Sequence, residues 1–563
     1  MKRTFSLTGI AALAVAMAAQ VFGQMTESSA PLKFEIADVR ASSAQNNDPD
    51  MGGPFVRAGH YEIRRATMVD LVRLAYGVDF DKVLGGPSWL ETDRFDVKAK
   101  LPAAEPPARP SPEALKQMLQ ALLEERFSLQ AHNDTQPVPV YALTAQKRTQ
   151  LKQSDGSGET GCKREMENQG PGRGGADAPA AAPPQAPPPA PVVSYICHNM
   201  TMASFAAGLP DMQFVWQYIE NPSVVVDQTG LGGSWDFSFK YSRRRGPQIV
   251  IGTPVTTLYE ALEKQLGLKL DIAKIPQPVV VVDSVNRAPT PNSPDAAKSF
   301  PPAPAEFEVA DIKPTAPDFT DTRFQIQPGG RVNIQGISLK DLIEDMWDIS
   351  DEMLVGAPKF AETDRWDFVA KASGATGGPD SEPVDFDTLT QMMKALLAER
   401  FKLAVHMEER PVNAYTLSAI KPKMKKADPS SRTWCKEGLP LGGKNDPRDA
   451  NPVLGRLMTC QNMSMAQLAD QLRFLANGYV HSPVLDSTGL EGGWDFTLSF
   501  SPVFQTRASQ ASSAPGLNAA SDPNGAVSLP EAVERQLGLK LEQQKRPVQV
   551  LVIDHMERTP IDN

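Results

Sequence analysis

Most of this 563-residue chain is written twice, and that repeat limits the possible folds more than any other feature. Phe34-Glu-Ile-Ala-Asp38 returns as Phe307-Glu-Val-Ala-Asp311. The segment Leu84 to Asp96, ending Glu-Thr-Asp-Arg-Phe-Asp, returns as Val355 to Asp367, ending Glu-Thr-Asp-Arg-Trp-Asp. Gln117 to Phe127 matches Gln391 to Phe401. Val226-Asp-Gln-Thr-Gly-Leu, running on to Trp-Asp-Phe237, matches Leu485 to Phe496, and Gln265 to Leu270 matches Gln536 to Leu541. The order is the same throughout, so the chain is expected to form two tandem copies, 33–290 and 306–558. A Pro-rich linker, 291–305, reads as a stiff extended tether. The Ala/Gly/Pro-rich stretch 170–191 reads as a disordered insertion in copy one, and the polar run 506–524 as its counterpart in copy two.

Each copy also carries a weaker internal doubling. In copy two, Arg331-Val-Asn-Ile reads as a strand. Ser338 then caps a helix over Leu339–Trp347, with apolar residues at Leu339, Leu342, Ile343 and Met346, the spacing of an amphipathic helix. Strands follow near Met353–Val355 and at Trp366-Asp-Phe-Val-Ala. The plan recurs with Ser464 capping Met465 to Leu475, a strand at Pro483-Val-Leu, and Trp494-Asp-Phe-Thr-Leu. After each β-α-β-β unit come a helix and two predicted strands: Met392–Arg400 before 401–406 and 414–418, Leu529–Leu537 before 539–542 and 548–553. The expectation is an α+β fold of four related half-modules, β-α-β-β plus α-β-β, with small mixed sheets covered by helices on one face.

The four cysteines divide two per copy, Cys162 with Cys197 and Cys435 with Cys460. Cys197-His-Asn-Met-Thr-Met202 aligns with Cys460-Gln-Asn-Met-Ser-Met465, so the second cysteines are equivalent. Even parity within each copy, without close C-x-x-C pairs or clustered histidines, reads as one disulfide per copy rather than a metal site. The N-terminus agrees: Lys2 and Arg3 precede an apolar run from Leu7 to Ala19, and Val21-Phe22-Gly23 fits a cleavage site. Residues 1–23 thus read as a signal peptide, exporting the chain to the periplasm or beyond the cell, where thiols oxidise. The apolar run is shorter than the ~20 residues of a membrane-spanning helix. No membrane span is expected after signal cleavage.

The formal charge, 57 basic against 67 acidic residues, is −10, which excludes the basic footprint of a nucleic-acid binder. No metalloprotease helix, nucleophile elbow, phosphate loop or dinucleotide fingerprint is present, so no catalytic residue, metal or cofactor is predicted. His132 and His406 close equivalent Phe-x-Leu-x-x-His segments and are expected on the outer strand face. The recurrent acids, Asp364 and Asp367 among them, surround turns, where carboxylates accept backbone N–H bonds. Trp235, Trp366 and Trp494 recur beside those turns. With Asp364 and Asp367 they are the candidate binding residues, as a platform for sugar or peptide, against a plain core-packing role.

Phe307-Glu-Val-Ala-Asp-Ile-Lys-Pro314, the Leu-Leu-x-Glu-Arg-Phe helix end, the Asp-x-Thr-Gly-Leu turn and the closing Pro547-to-His555 strand together resemble a soil-associated family of exported bacterial proteins of unknown function. The resemblance covers nearly all the chain after residue 33, twice, and implies no catalytic residues. The half-modules are similar in pattern to the short N-terminal domains of secretins and TonB-dependent receptors. The functional expectation is a non-enzymatic binding module with an unknown envelope or extracellular partner. Alternatives are a secreted hydrolase of cell-wall or plant-derived glycans using paired aspartates, and a structural component of an envelope complex.

Overall fold

The structure, a computed structural model, describes residues 32–561 apart from 43–50, 58, 103–109, 166–190, 220–223, 245–254, 301–305, 328–329, 373–385, 439–445, 452, 477 and 507–524. The expected signal peptide, nearly all of the insertion at 170–191 and most of the polar run at 506–524 lie outside the described residues.

Among the described residues copy one contains twelve strands: β1 (Ile36–Ala41), β2 (Gly52–Arg57), β3 (His60–Thr67), β4 (Val83–Gly85), β5 (Arg94–Lys100), β6 (Gln130–Ala145), β7 (Lys152–Gln153), β8 (Gly161–Glu165), β9 (Val192–Met200), β10 (Val225–Asp227), β11 (Trp235–Ser242) and β12 (Leu268–Ser284). They form three four-stranded sheets. The first outer sheet has order β1-β5-β3-β2 and the second β7-β11-β9-β8. Adding six to each strand number converts one into the other, so the internal doubling is present in the topology. The central sheet, β10-β6-β12-β4, maps onto itself, reversed, under the same shift. Copy two repeats all three orders.

The last two strands predicted for each half are one. β6 and β12 run unbroken for 16 and 17 residues and pair antiparallel along their whole length, as do Ala404–His555 partners in the copy-two strands Ala404–Ala419 and Leu539–His555. Proline and charge at their midpoints look like turn signals in the sequence. In the fold Pro137 stands opposite Pro276, and Pro411 opposite Pro547, at the centre of the approximate two-fold. A proline lacks the ladder N–H and needs a strand edge. The short flanking strands supply one, because β10 covers only Tyr141–Leu143 of β6 and β4 only Val280–Val282 of β12.

Each half-module builds its core from one outer sheet, its helices and one end of the central sheet. In the first, Ile63, Phe95 and Val97 meet Val69, Leu71 and Val72 of helix Met68–Tyr76, Leu119 and Leu123 of helix Pro112–Phe127, and Val280 and Val282 of β12. The helices start where the sequence says: Thr67, Thr201, Ser338 and Ser464 each accept a hydrogen bond from the backbone N–H three residues on.

Two residues before each cap the chain takes a left-handed step. Arg65, Asn199, Gly336 and Asn462 have φ of 52°, 50°, 70° and 48°, at a β-bulge in each outer sheet. The N–H of each is received by an aspartate on the neighbouring strand: Asp96 at 2.8 Å, Asp236 at 2.8 Å, Asp367 at 3.0 Å and Asp495 at 2.9 Å. The Trp/Phe-Asp signature is thus the acceptor half of a bulge that turns a strand into a helix. Gly336 is the one glycine among the four, and a Cβ there would fall 2.2 Å from the Asp321 carbonyl oxygen.

The tether is not extended where it is described. Pro294–Ser299 is helical, Ala296 and Phe300 are buried, and Asn292 accepts from the Val39 N–H at 2.9 Å. Arg126 reaches Thr290 Oγ1 at 3.0 Å and Asn292 Oδ1 at 2.6 Å. A buried guanidinium that needs acceptors draws the tether onto copy one.

Candidate ligand cavity between the two copies

The copies touch. The Thr433 N–H donates to the Ser88 carbonyl at 3.0 Å, across the boundary between them. A second contact buries charge: Arg244 of copy one lies 2.7 Å from Asp446 of copy two, which also receives Arg448 at 2.7 Å, all three side chains being nearly inaccessible. Arg65 reaches Asp387 at 3.3 Å.

Beside the first contact lies a cavity of about 270 Å³. Copy one contributes Phe80 and Asp81 from the turn Phe80–Lys82, Val83 and Leu84 of β4, Glu91 from the turn Ser88–Glu91, and Val138 and Pro139 of β6. Copy two contributes Arg432 and its edge strand Trp434–Glu437, with Thr459 and Gln461 from the adjoining strand Arg456–Met463. Trp434 pairs with Gln461, and Lys436 with Thr459. Side chains alternate along a strand, so these four share the face toward the cavity. Cys435 and Cys460, paired between them, turn to the other face, where Cys460 enters the core.

Glu91 receives Arg432 on one oxygen at 3.2 Å and Lys436 on the other at 3.1 Å. Arg432 also donates to the Val83 carbonyl. The Lys436 ammonium lies 4.2 Å from the Phe80 ring centre and 5.0 Å from that of Trp434, within cation–π range of both. Burial lowers the pKa of Lys436 and of Arg432, with Glu91 opposing, and burial raises that of Asp81. The chamber therefore has apolar and aromatic walls, two cations under desolvation and a carboxyl group whose pKa burial raises.

The sequence-predicted residues are not gathered here or anywhere else. Trp235, Trp494 and Trp366 lie in three different outer sheets. Trp366 is buried edge-on to Phe401 at 5.4 Å, while Trp235 and Trp494 pack half-buried against the cores of their own half-modules. Asp364 pairs with Arg558 at 2.7 Å, as Asp93 does with Arg287 at 2.5 Å. Asp367 accepts from Thr315 Oγ1 at 2.7 Å and from the Gly336 N–H. The turn acids Asp227 and Asp486 each hold their own Thr-Gly turn, through Thr229 and Thr488 N–H at 2.8 Å. His132 and His406 lie on exposed faces, each 2.8 Å from an aspartate, Asp283 or Asp554, which raises its pKa.

The cysteines are paired within copies, Cys162 with Cys197 and Cys435 with Cys460, with Cα atoms 4.0 Å apart in both pairs. Each bridge joins two adjacent strands rather than a loop and a strand, since Cys162 lies in the edge strand β8 beside β9.

Repetition is what the sequence displays, and it pointed to the scaffold. Part of the cavity recurs, Glu91 as Glu362 and Lys436, by count from the cysteines, as Lys163, but other lining residues differ between the copies. Counting from the aligned cysteines, Trp434 stands where copy one has Gly161, and Arg432 where it has Glu159. Those differences between the copies are the signal that could have marked them.

A family model described as "Protein of unknown function (DUF3738)" matches residues 69–285 and again 340–556. The chain belongs to the DUF3738 family. Both matches begin within a first helix and end with a long central strand, so the DUF3738 match omits β1–β3, which the fold places in one sheet with β5. No curated protein and no solved structure matches the chain. Among the described residues no helix is long and apolar enough to cross a membrane, and no cluster of His, Cys, Asp and Glu is arranged to hold a metal ion.

Proposed function

We propose that this DUF3738 protein is an exported, non-enzymatic binding protein, and that the cavity between its copies is its ligand site. The supporting observation is that cavity: apolar and aromatic walls, a few convergent charged groups, and contributions from both repeats. The disulfides suit an oxidising compartment. In this reading tandem duplication serves to create a composite site, since Phe80, Val83 and Glu91 come from copy one and Arg432, Trp434 and Lys436 from copy two.

The test uses the full chain. Protein is incubated with small-molecule extract from the producing cells and their medium, desalted, denatured, and its released compounds identified by mass spectrometry. The expected result is a compound retained by the native protein and lost in Trp434→Gly, which installs the copy-one residue. Equal retention by both proteins, or none by either, rejects the cavity as the site. Cell fractionation checks export, and protein confined to the cytoplasm would refute it.

A further inference from the structure

We infer that the cavity takes a small monocarboxylate with an aromatic or branched apolar body. This deepens the ligand-site reading above and rests on it. The charged groups at the cavity are Arg432, Lys436, Glu91, Glu437 and Asp81, with Arg456 3.8 Å from Glu437 behind the wall. Glu437 is matched by Arg456. Glu91 alone faces two cations, and each of its oxygens is engaged by one of them. Glu91 therefore offers little to a ligand, whereas Arg432 and Lys436 hold more donors than one carboxylate can accept.

Of the other two carboxylates at the cavity, Glu437 faces Arg456, which leaves Asp81. Asp81 lines the cavity but forms no ion pair with Arg432 or Lys436 among the described residues, while burial bears on both cations. A ligand carboxylate accepts charge-assisted hydrogen bonds from the donors that Glu91 leaves over, in a partly desolvated setting, where they are strongest. A ligand cation would meet Arg432 and Lys436 as like charges, with the faces of Phe80 and Trp434 already turned to Lys436.

The remaining walls fix the body of the ligand. Phe80, Val83, Leu84, Val138, Pro139 and Trp434 are apolar or aromatic. At ~30 Å³ per water in the liquid, the chamber matches about nine waters, or a molecule of roughly ten non-hydrogen atoms. Acetate is too small to use the walls, and a sugar would place hydroxyls against them without partners.

Four probes differing in one respect each are titrated into the full chain by calorimetry and ligand-observed NMR: 3-phenylpropanoate, 3-phenylpropanamide, 3-phenylpropylamine and acetate. The expected order is the carboxylate first, the amide at least tenfold weaker, and no binding of the amine or acetate. Lys436→Met should weaken 3-phenylpropanoate at least tenfold while leaving the amide unchanged. Should Lys436→Met fail to fold, the carboxylate-to-amide ratio on the unaltered protein decides alone. Amide or amine binding as tight as the carboxylate, competed away in Trp434→Gly, overturns the carboxylate assignment and leaves the cavity as a ligand site. Failure of all four probes at millimolar concentration also overturns it, and the extract experiment then judges the cavity independently.

Discussion

Asp367→Ala separates a structural aspartate from a chemical one. In the fold Asp367 Oδ1 accepts the Thr315 hydroxyl at 2.7 Å and the Gly336 N–H at 3.0 Å, and among the described residues nothing else at that bulge receives either donor. Hydrogen bonds to a charged acceptor contribute about 1.5–3 kcal/mol each when both partners are protected, and a stranded N–H adds its own desolvation cost. The Thr315 hydroxyl can rotate to water, so the loss centres on the Gly336 bond, for a total of about 3 kcal/mol. For a unit of this size each kcal/mol moves the midpoint by about 2–4 °C, giving a fall of roughly 6–12 °C in the copy-two transition. Asp364→Ala removes a carboxylate that pairs with exposed Arg558 at the surface, and should leave the midpoint where it was. Calorimetry of the two variants beside the unaltered protein measures the contrast. Hydrogen exchange at Gly336 locates it, since the amide should lose protection in Asp367→Ala alone. Equal midpoints for the two variants, or unchanged protection at Gly336, would refute the account of the Trp/Phe-Asp signature as a bulge acceptor.

Three further outcomes follow from the geometry. Asp446→Ala leaves the buried guanidiniums of Arg244 and Arg448 without their shared carboxylate and should cost about 3–5 kcal/mol, measured by urea unfolding, with a rise in proteolytic cleavage between the copies. Replacing Cys435 and Cys460 by serine opens a bridge spanning a sequence separation of 25 and should lower stability by about 3.5 kcal/mol, read from the shift in denaturant midpoint; an unmoved midpoint would contradict the bridge. His132 and His406 should titrate above the ordinary histidine value in NMR, and Asp283→Asn and Asp554→Asn should lower each toward it, with Asp134 and Glu408 still raising them. Because their folded pKa is raised, the protonated pairs stabilise the fold fully below the unfolded value near pH 6.5, and that contribution disappears as pH rises through the folded pKa.

The cation pair at the cavity shows why folding of the scaffold and formation of the site are separate problems. Several features that recur along the chain have a partner within their own half-module: Asp96 with Arg65, Asp93 with Arg287, Gln265 with the backbone of Lys240 at 3.0 and 2.8 Å. Arg432 and Lys436 instead find theirs, Glu91, more than three hundred positions earlier. A site assembled from unlike faces of like modules can change without disturbing either module's core.

What the sequence determined alone was local or repeated. Apolar spacing at Leu339, Leu342, Ile343 and Met346, with Ser338 before it, specified a helix and its first residue, because capping and amphipathicity act within a few positions. Parity and alignment of the cysteines specified the two pairs. The tertiary structure decided what depends on distant partners. Pro411 and Pro547 mark breaks in a sequence read one residue at a time, yet they lie in unbroken strands, because pairing across an approximate two-fold leaves their missing N–H groups on an open edge. Asp367 is expected at a turn as an acceptor of backbone N–H groups, but that it takes the N–H of left-handed Gly336 on the neighbouring strand was decided by the fold. The cavity exists only where copy two's edge strand meets copy one's turns, and a burial made by two surfaces leaves no period or motif in either.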